Sequence, residues 1–395
     1  MQDTGSTRDD PALARLADEV TGWRRHLHAH PELSYDVHET ARFVAAKLRA
    51  FGLDDVVEGI GRTGVVGVIR GRTPGRTVGL RADMDALPVQ EMTNLPHASR
   101  IEGRMHACGH DGHTAMLLGA ARRLADRRDF SGVAVVIFQP AEEAGNGALA
   151  MVEDGVMARF GIDEVYGMHN LPGLPAGAFA VARGPAMAAV DSFTIRIEGR
   201  GCHAAQPNAG IDPILAGAHV VKALQAIVAR NVDPLHAVVV SVTAFQGGEA
   251  FNVVPQSVLL RGTVRSMSPA VRDFVEGRVS ATARAVAASF GATAEVHYER
   301  LVDATVNSPA HAGHAVMAAR SVPAPVPVDE DPAPMMAGED FSFMLGARPG
   351  AFVFIGNGET AGLHHPGYDF NDAIIPAGIR FWTELVHRRG KQDAD

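Results

Sequence analysis

The 395-residue chain contains only two cysteines, two tryptophans and four tyrosines. Two thiols, Cys108 and Cys202, are too few for the disulfide framework of a small secreted domain. The sequence leaves a single bridge between them open, but a reduced, cytoplasmic protein fits better. No uninterrupted apolar run is long enough to span a bilayer. Residues Met1 to Asp10 are polar and show no apolar core of a secretory signal. Basic charge is also short, since 36 Lys and Arg against 45 Asp and Glu give a net charge of −9. That balance argues against nucleic acid and against an anionic membrane surface as partners. An apolar content of 46% with 21% charged residues is ordinary for a globular enzyme. At roughly 100–200 residues per domain the length predicts two or three domains, and no internal repeat is found.

Histidine, in contrast, is plentiful, with 18 copies. Three of them fall in His106-Ala107-Cys108-Gly109-His110-Asp111-Gly112-His113, together with a thiol and a carboxylate. Cys and His are the soft and borderline ligands of Zn²⁺, Ni²⁺ or Co²⁺. Each of these groups is costly to bury without a partner, so folding alone does not call for such a cluster. The bland alternative is a polar loop that caps the next helix, with Cys108 buried as a small hydrophobe.

Apolar spacing predicts a helix over 11–29 and a second one, capped by Asp36, that places Thr40, Ala41, Val44, Leu48 and Phe51 on one face. Short β-branched runs at 65–69, 77–80 and 133–138 read as strands, and 114–128 reads as a helix directly after the His/Cys cluster. Strand alternating with helix implies an α/β fold with a mainly parallel sheet. In such sheets the chemistry gathers beyond the carboxyl ends of the strands. Asp83 and Asp85, Glu142 and Glu143, and His169 all sit at predicted strand ends. Between residues 187 and 301 the pattern changes to βαββαβ: strands near 193–197, 238–245, 258–265 and 294–299, with helices over 213–229 and 269–290. That order is the ferredoxin-like unit, here read as a domain inserted between 1–186 and 302–395. The Pro-rich, acidic segment 322–334 reads as a loop.

The loop Gln139-Pro140-Ala141-Glu142-Glu143-Ala144-Gly145 carries adjacent carboxylates that point different ways, so one can bind a metal while the other takes a proton. A solvated acidic turn is the commoner fate of such a pair, but a strand end beside a His/Cys cluster favours function. With His169 and His364, the chain supplies Cys108, His110, Glu143, His169 and His364, enough for two metals if one ligand bridges. His26, His28 and His30 have a plainer reading, as partners of a helix C-terminal dipole.

Together these motifs resemble the amidohydrolase branch of the aminoacylase and carboxypeptidase metallopeptidases, which holds hippurate hydrolases, N-acyl-amino-acid amidohydrolases and auxin-conjugate hydrolases. The matching segments are Arg81-Ala82-Asp83-Met84-Asp85-Ala86-Leu87-Pro88, the cluster at 106–113, the Glu-Glu loop, Gly167-Met168-His169-Asn170, Gly201-Cys202-His203-Ala204-Ala205, Asn252-Val253-Val254-Pro255, Ala337-Gly338-Glu339-Asp340-Phe341 and Leu363-His364-His365-Pro366. They run nearly the whole chain in the family's order. The resemblance implies a catalytic domain interrupted by a lid that pairs in a homodimer. It implies two divalent metal ions per subunit (Zn, Mn, Ni or Co), with Cys108 bridging, His110 and His169 completing one site, and Glu143 and His364 the other. Glu142 would be the general base, Asp85 would orient a ligand histidine, and His203 would stabilise the tetrahedral intermediate. Asn252, Arg265 and the backbone at Gly338 would hold the substrate's carboxylate end. Cys202 departs from the family's usual Gly beside that histidine.

The implied reaction is hydrolysis of an N-acyl amino acid to an acid and a free amino acid. Two rivals are a dipeptidase or carboxypeptidase with the same metals, and a metal-binding relative without catalysis. Against the first, no basic or aromatic reader for a free amine is evident. Against the second, a pure binding site has no need of the non-ligand carboxylate.

Overall fold

The computed structural model describes residues 10–391; the expectation for Met1 to Asp10 therefore lies outside the described residues, except at Asp10. Helix α1, Pro11–Ala29, starts where Asp10 accepts from the amides of Ala12 and Leu13, with Pro11 as its first residue. In α2, His38–Ala50, the residues Thr40, Ala41, Val44 and Leu48 are buried as their spacing requires. The expected Asp36 cap does not form. Val37 holds the cap position, and Glu32 accepts from the amides of Glu39 and Thr40. A longer carboxylate side chain, arriving from before the turn, does the work that a short one at the turn was expected to do.

The chain divides into two compact units. The first is built on a seven-stranded sheet that includes β1 (Asp55–Ile60), β2 (Gly64–Arg70), β3 (Thr73–Asp83), β4 (Ser131–Gln139) and β5 (Glu164–Pro172). Its centre is parallel: β4 pairs with β3, β3 with β5, and β5 with the strand Gly350–Gly358. Its margins are antiparallel, with β1 on β2, β2 on β4, and Phe179–Ala180 on Gly350–Gly358. The sheet is thus mixed, with a parallel core. Central strands are buried on both faces and read as apolar runs; Val65, Ile69, Val78, Leu80, Val136, Val353 and Ile355 are all fully buried. Helix α3, His110–Arg127, and the helix Ile375–Arg389 contribute Leu117, Leu118, Ala121, Ile379 and Trp382 to the same core. Register then aligns the strand ends: Asp83 sits opposite Gln139, and Arg81 is opposite Ile137 on one side and Gly167 on the other. The carboxyl ends of three neighbouring strands therefore converge.

The second unit comprises Met187–Thr305 and Pro334–Glu339. The second of these segments follows the Pro-rich stretch and was not anticipated from the alternation of elements. The unit's four-stranded sheet, in the order Val238–Gln246, Ser257–Ser266, Ala189–Glu198, Thr293–Val302, is antiparallel throughout. Helices Pro213–Ala226 and Pro269–Ser289 set Val220, Leu224, Val275 and Val279 against Phe193, Ile195, Ile197 and Leu260. Among the described residues no helix is long and apolar enough to cross a membrane.

Candidate metal centre

Helix α3 begins inside the His/Cys cluster, at His110, four residues before the expected start. Gly109 makes this possible. Its φ is +90°, and a β-carbon there would lie 2.3 Å from Asn170 Nδ2 and 2.5 Å from the Tyr368 hydroxyl. The early start places His110 and His113 in the first turn, against the ends of β3 and β5. Polar side chains that an apolar pattern counts as loop are absorbed there by partners on the strands.

His110 Nδ1 donates to the Asp85 carbonyl at 2.8 Å, and His169 Nδ1 donates to the Asn170 carbonyl at 2.7 Å. Both rings thus present Nε2 as the free lone-pair atom, the usual arrangement of a histidine ligand. His169 Nε2 lies 3.4 Å from Cys108 Sγ. Glu143 Oε1 lies 3.4 Å from His364 Nε2 and 3.8 Å from His110 Nε2. His364 reaches this position from a left-handed backbone, φ +64°, with its amide bonded to the Ala107 carbonyl. Two donor groups result, Cys108–His110–His169 and Cys108–Glu143–His364, each with its ligand atoms within 4.8 Å of one another. Cys108 is common to both.

These residues fit divalent metal. His110 Nε2 and Glu143 Oε1 are buried and have no hydrogen-bond partner, and an unmet buried polar atom is costly. Burial, reinforced by the Glu143 charge, pushes the Cys108 thiol well above its ordinary value. A thiolate at this position therefore needs a cation beside it.

The Asp85 carboxylate accepts from the amides of both Glu142 and Glu143, at 3.0 and 3.2 Å. Asp85 thus touches a histidine ring through its carbonyl and the Glu-Glu loop through its side chain. Sequence reasoning gave no role to Asp83, His113 or Asn170. His113 Nδ1 donates to Asp83 at 2.7 Å, and its Nε2 accepts from the Asn170 amide at 2.9 Å. Both ring nitrogens are engaged, and burial pulls the ring below its ordinary value, so His113 is a support rather than a ligand. Burial works to raise the Asp83 carboxyl, but His110 and Arg81 outweigh it and hold it well below its usual range. Arg81 also bonds Gln139 and Asp340, and Asp340 accepts from Gln139 and the Ala148 amide. The sequence placed Asp83 at a strand end beside Asp85 and His113 in the His/Cys cluster, without showing what either meets.

The expected helix-dipole partners divide. His30 Nδ1 donates to the His26 carbonyl in the last turn of α1, whereas His28 is fully buried, 2.9 Å from Asp111 and 3.4 Å from Glu91.

His203, Asn252, Arg265 and Gly338 all lie in the second unit. Cys202–His203 pairs with Val253–Val254, and the Ala204 amide donates to the Asn252 carbonyl at 3.0 Å. His203 Nδ1 accepts from the Ala205 amide at 3.0 Å. Arg265 Nη1 lies 3.6 Å from where a β-carbon on Gly338 would stand, so these residues form two pairs. Cys108 and Cys202 are both free thiols, and the bridge left open by the sequence is absent.

Residues 79–388 match the model of peptidase family M20/M25/M40. The chain belongs to that family. It is 41% identical over 377 residues to N-acetyl-L-cysteine deacetylase of Bacillus subtilis, covering 95% of this chain and 89% of the relative. It is 39% identical over 376 residues to hippurate hydrolase of Campylobacter jejuni, covering 95% and 98%. Among solved structures, a Bacillus subtilis protein described as a dinuclear metal binding peptidase from the M20 family superposes with a TM-score of 0.83. The two share 35% identity over 95% of this chain and 98% of the other. Within this M20 chain, each donor group draws its ligands from separate elements: the turn into α3, the loop after β4, the end of β5 and the loop at 362–366.

Proposed function

We propose that this M20 protein hydrolyses the amide bond of N-acyl amino acids, hippurate and N-acetyl amino acids among them, at a centre of two divalent ions held by Cys108, His110, Glu143, His169 and His364. The observation that carries this reading is the pair of donor groups sharing one thiol, with a further carboxylate, Glu142, on the same loop as the ligand Glu143. Zn, Mn, Ni and Co all suit the donor set.

When bound, the two cations would polarise the scissile carbonyl and lower the pKa of the attacking water. Glu142 accepts the proton from that water as its oxygen adds to the carbonyl carbon. It then delivers the proton to the leaving nitrogen as the C–N bond breaks. Asp85 fixes the backbone from which Glu142 projects and orients His110. His203 stabilises the oxyanion, and Asn252, Arg265 and the Gly338 backbone hold the carboxylate of the amino acid. Burial lowers the Arg265 pKa only against a value far above neutrality, so it keeps the charge such a contact uses.

The second unit acts as a lid and pairs with a second copy to make a homodimer. Val238–Gln246 is an edge strand, and Ile214, Leu215 and Phe245 expose apolar surface. Two free thiols suit a cytoplasmic site of action.

The test is turnover of hippurate, several N-acetyl amino acids and unblocked dipeptides by metal-replete protein, with and without a chelator. Chelator-sensitive release of free amino acid from the acylated substrates is expected. Turnover confined to unblocked dipeptides would move the assignment to a peptidase, and a single-chain mass at assay concentration would contradict the pairing.

A further inference from the structure

The segment Pro31-Glu32-Leu33-Ser34-Tyr35, between α1 and α2, threads between the end of β3 and the Glu-Glu loop. The Ala86 amide donates to the Glu32 carbonyl at 2.8 Å, and Leu33 forms a parallel bridge with Ala86. The Ala141 amide donates to the Ser34 carbonyl at 3.1 Å. The Tyr35 hydroxyl donates to the Gly145 carbonyl at 2.6 Å. Its ring also fills the space at Gly145, where a β-carbon would stand 2.8 Å from Tyr35 Cε2.

The Glu-Glu loop is therefore held at three points: at Ala141 by Ser34, at the amides of Glu142 and Glu143 by Asp85, and at Gly145 by Tyr35. It needs holding. Ala141 has φ +53° and Asn146 φ +51°, so left-handed residues stand on both sides of the two carboxylates. Such conformations persist only where the surroundings over-determine them. The Tyr35 side is itself braced. The Arg62 guanidinium lies 4.0 Å from the centroid of the Tyr35 ring, from a backbone with φ +79°, and Thr63 Oγ1 donates to the Tyr35 carbonyl.

We infer that Tyr35 is a positioning residue for catalysis: its hydroxyl, with the ring braced by Arg62, locks the distal end of the loop and so fixes where Glu142 presents its carboxylate. This rests on the proposed role of Glu142. The Glu143 carboxylate is also anchored at its tip, beside His364 and His110, so losing the hydroxyl loosens the loop while that ligand stays seated.

The test is Tyr35→Phe, which keeps the ring and its stacking and removes only the hydroxyl, beside Arg62→Ala and Glu142→Gln. In Tyr35→Phe, kcat is expected to fall about tenfold, with KM, metal content and melting temperature unchanged. Amide hydrogen exchange should quicken in 141–147 and nowhere else. Arg62→Ala should show the same pattern more weakly. Glu142→Gln should lose turnover while exchange in this segment stays as in the native protein. Unchanged exchange and kcat in Tyr35→Phe would overturn the inference, as would a general loss of protection or of metal, which would make Tyr35 a merely structural residue. If the native protein turns over no N-acyl amino acid, the proposed function fails, and the exchange measurement alone still decides whether Tyr35 locks the loop.

Discussion

Glu142 and Glu143 are adjacent in sequence, and their amides are held by the same Asp85 carboxylate, yet the account assigns them different chemistry. Glu143 Oε1 is buried against His364 and His110. Replacing Glu143 with Gln removes a charged ligand, so metal content should fall, with turnover falling alongside it. Glu142→Gln keeps the shape and loses the proton acceptor, so turnover should drop by at least about a hundredfold with two metals retained. Elemental analysis of both variants beside hippurate turnover makes the comparison, and loss of metal from Glu142→Gln would sink the assignment. At this scale the cluster at 106–113 was legible as a candidate cation site, because one Cys, three His and an Asp in a short stretch have little reason to be buried together except around a cation. Asp83, His113 and Asn170 were not legible, because their roles are hydrogen bonds spanning 30 to 57 positions. The sequence shows the residue types but not who meets whom.

The first turn of α3 shows what a single element adds. It carries the proposed ligand His110 and, one residue on, Asp111, whose carboxylate faces Arg24 and His28 from α1. His28 was read from its position near a helix end as a partner of the dipole, since periodicity says which face a residue occupies but not what stands opposite. Burial opposes its positive charge, but Asp111 and Glu91 overcome that and raise its pKa to about 9. Arg24 also faces Asp111, His97 packs edge-on against His28, and the His106 ring, pulled down to about 3 by burial, stays neutral. A pKa raised on folding contributes stability below the ordinary value near 6.5 and loses it as pH rises through about 9. The melting temperature of metal-replete protein should therefore fall between those two pH values. The underlying change is on the order of 3 kcal/mol at most. In His28→Gln the fall should be shallower, and parallel melting profiles for the two proteins would show that His28 is not charged when folded. Helix starts were the least legible part of the elements: α3 begins four residues early because strand-end carboxylates take up its polar first turn.

Across the whole molecule, strand alternating with helix is enough to call for a parallel sheet, and the βαββαβ order of the second unit stands out because its strands alternate polar and apolar where the central sheet is apolar throughout. The antiparallel margins of the large sheet were hidden, since β1 and β2 join through a short turn that composition does not distinguish from other loops. The return of Pro334–Glu339 to the second unit was hidden too, because a short loop carries no periodicity. The claim on which the rest depends is the paired-metal centre with Cys108 common to both donor groups. The most direct test is to strip the protein of metal and titrate one divalent ion back while following hippurate hydrolysis. The account predicts that activity rises chiefly with the second equivalent and levels off there. Full activity after a single equivalent, or in the stripped protein, would contradict it.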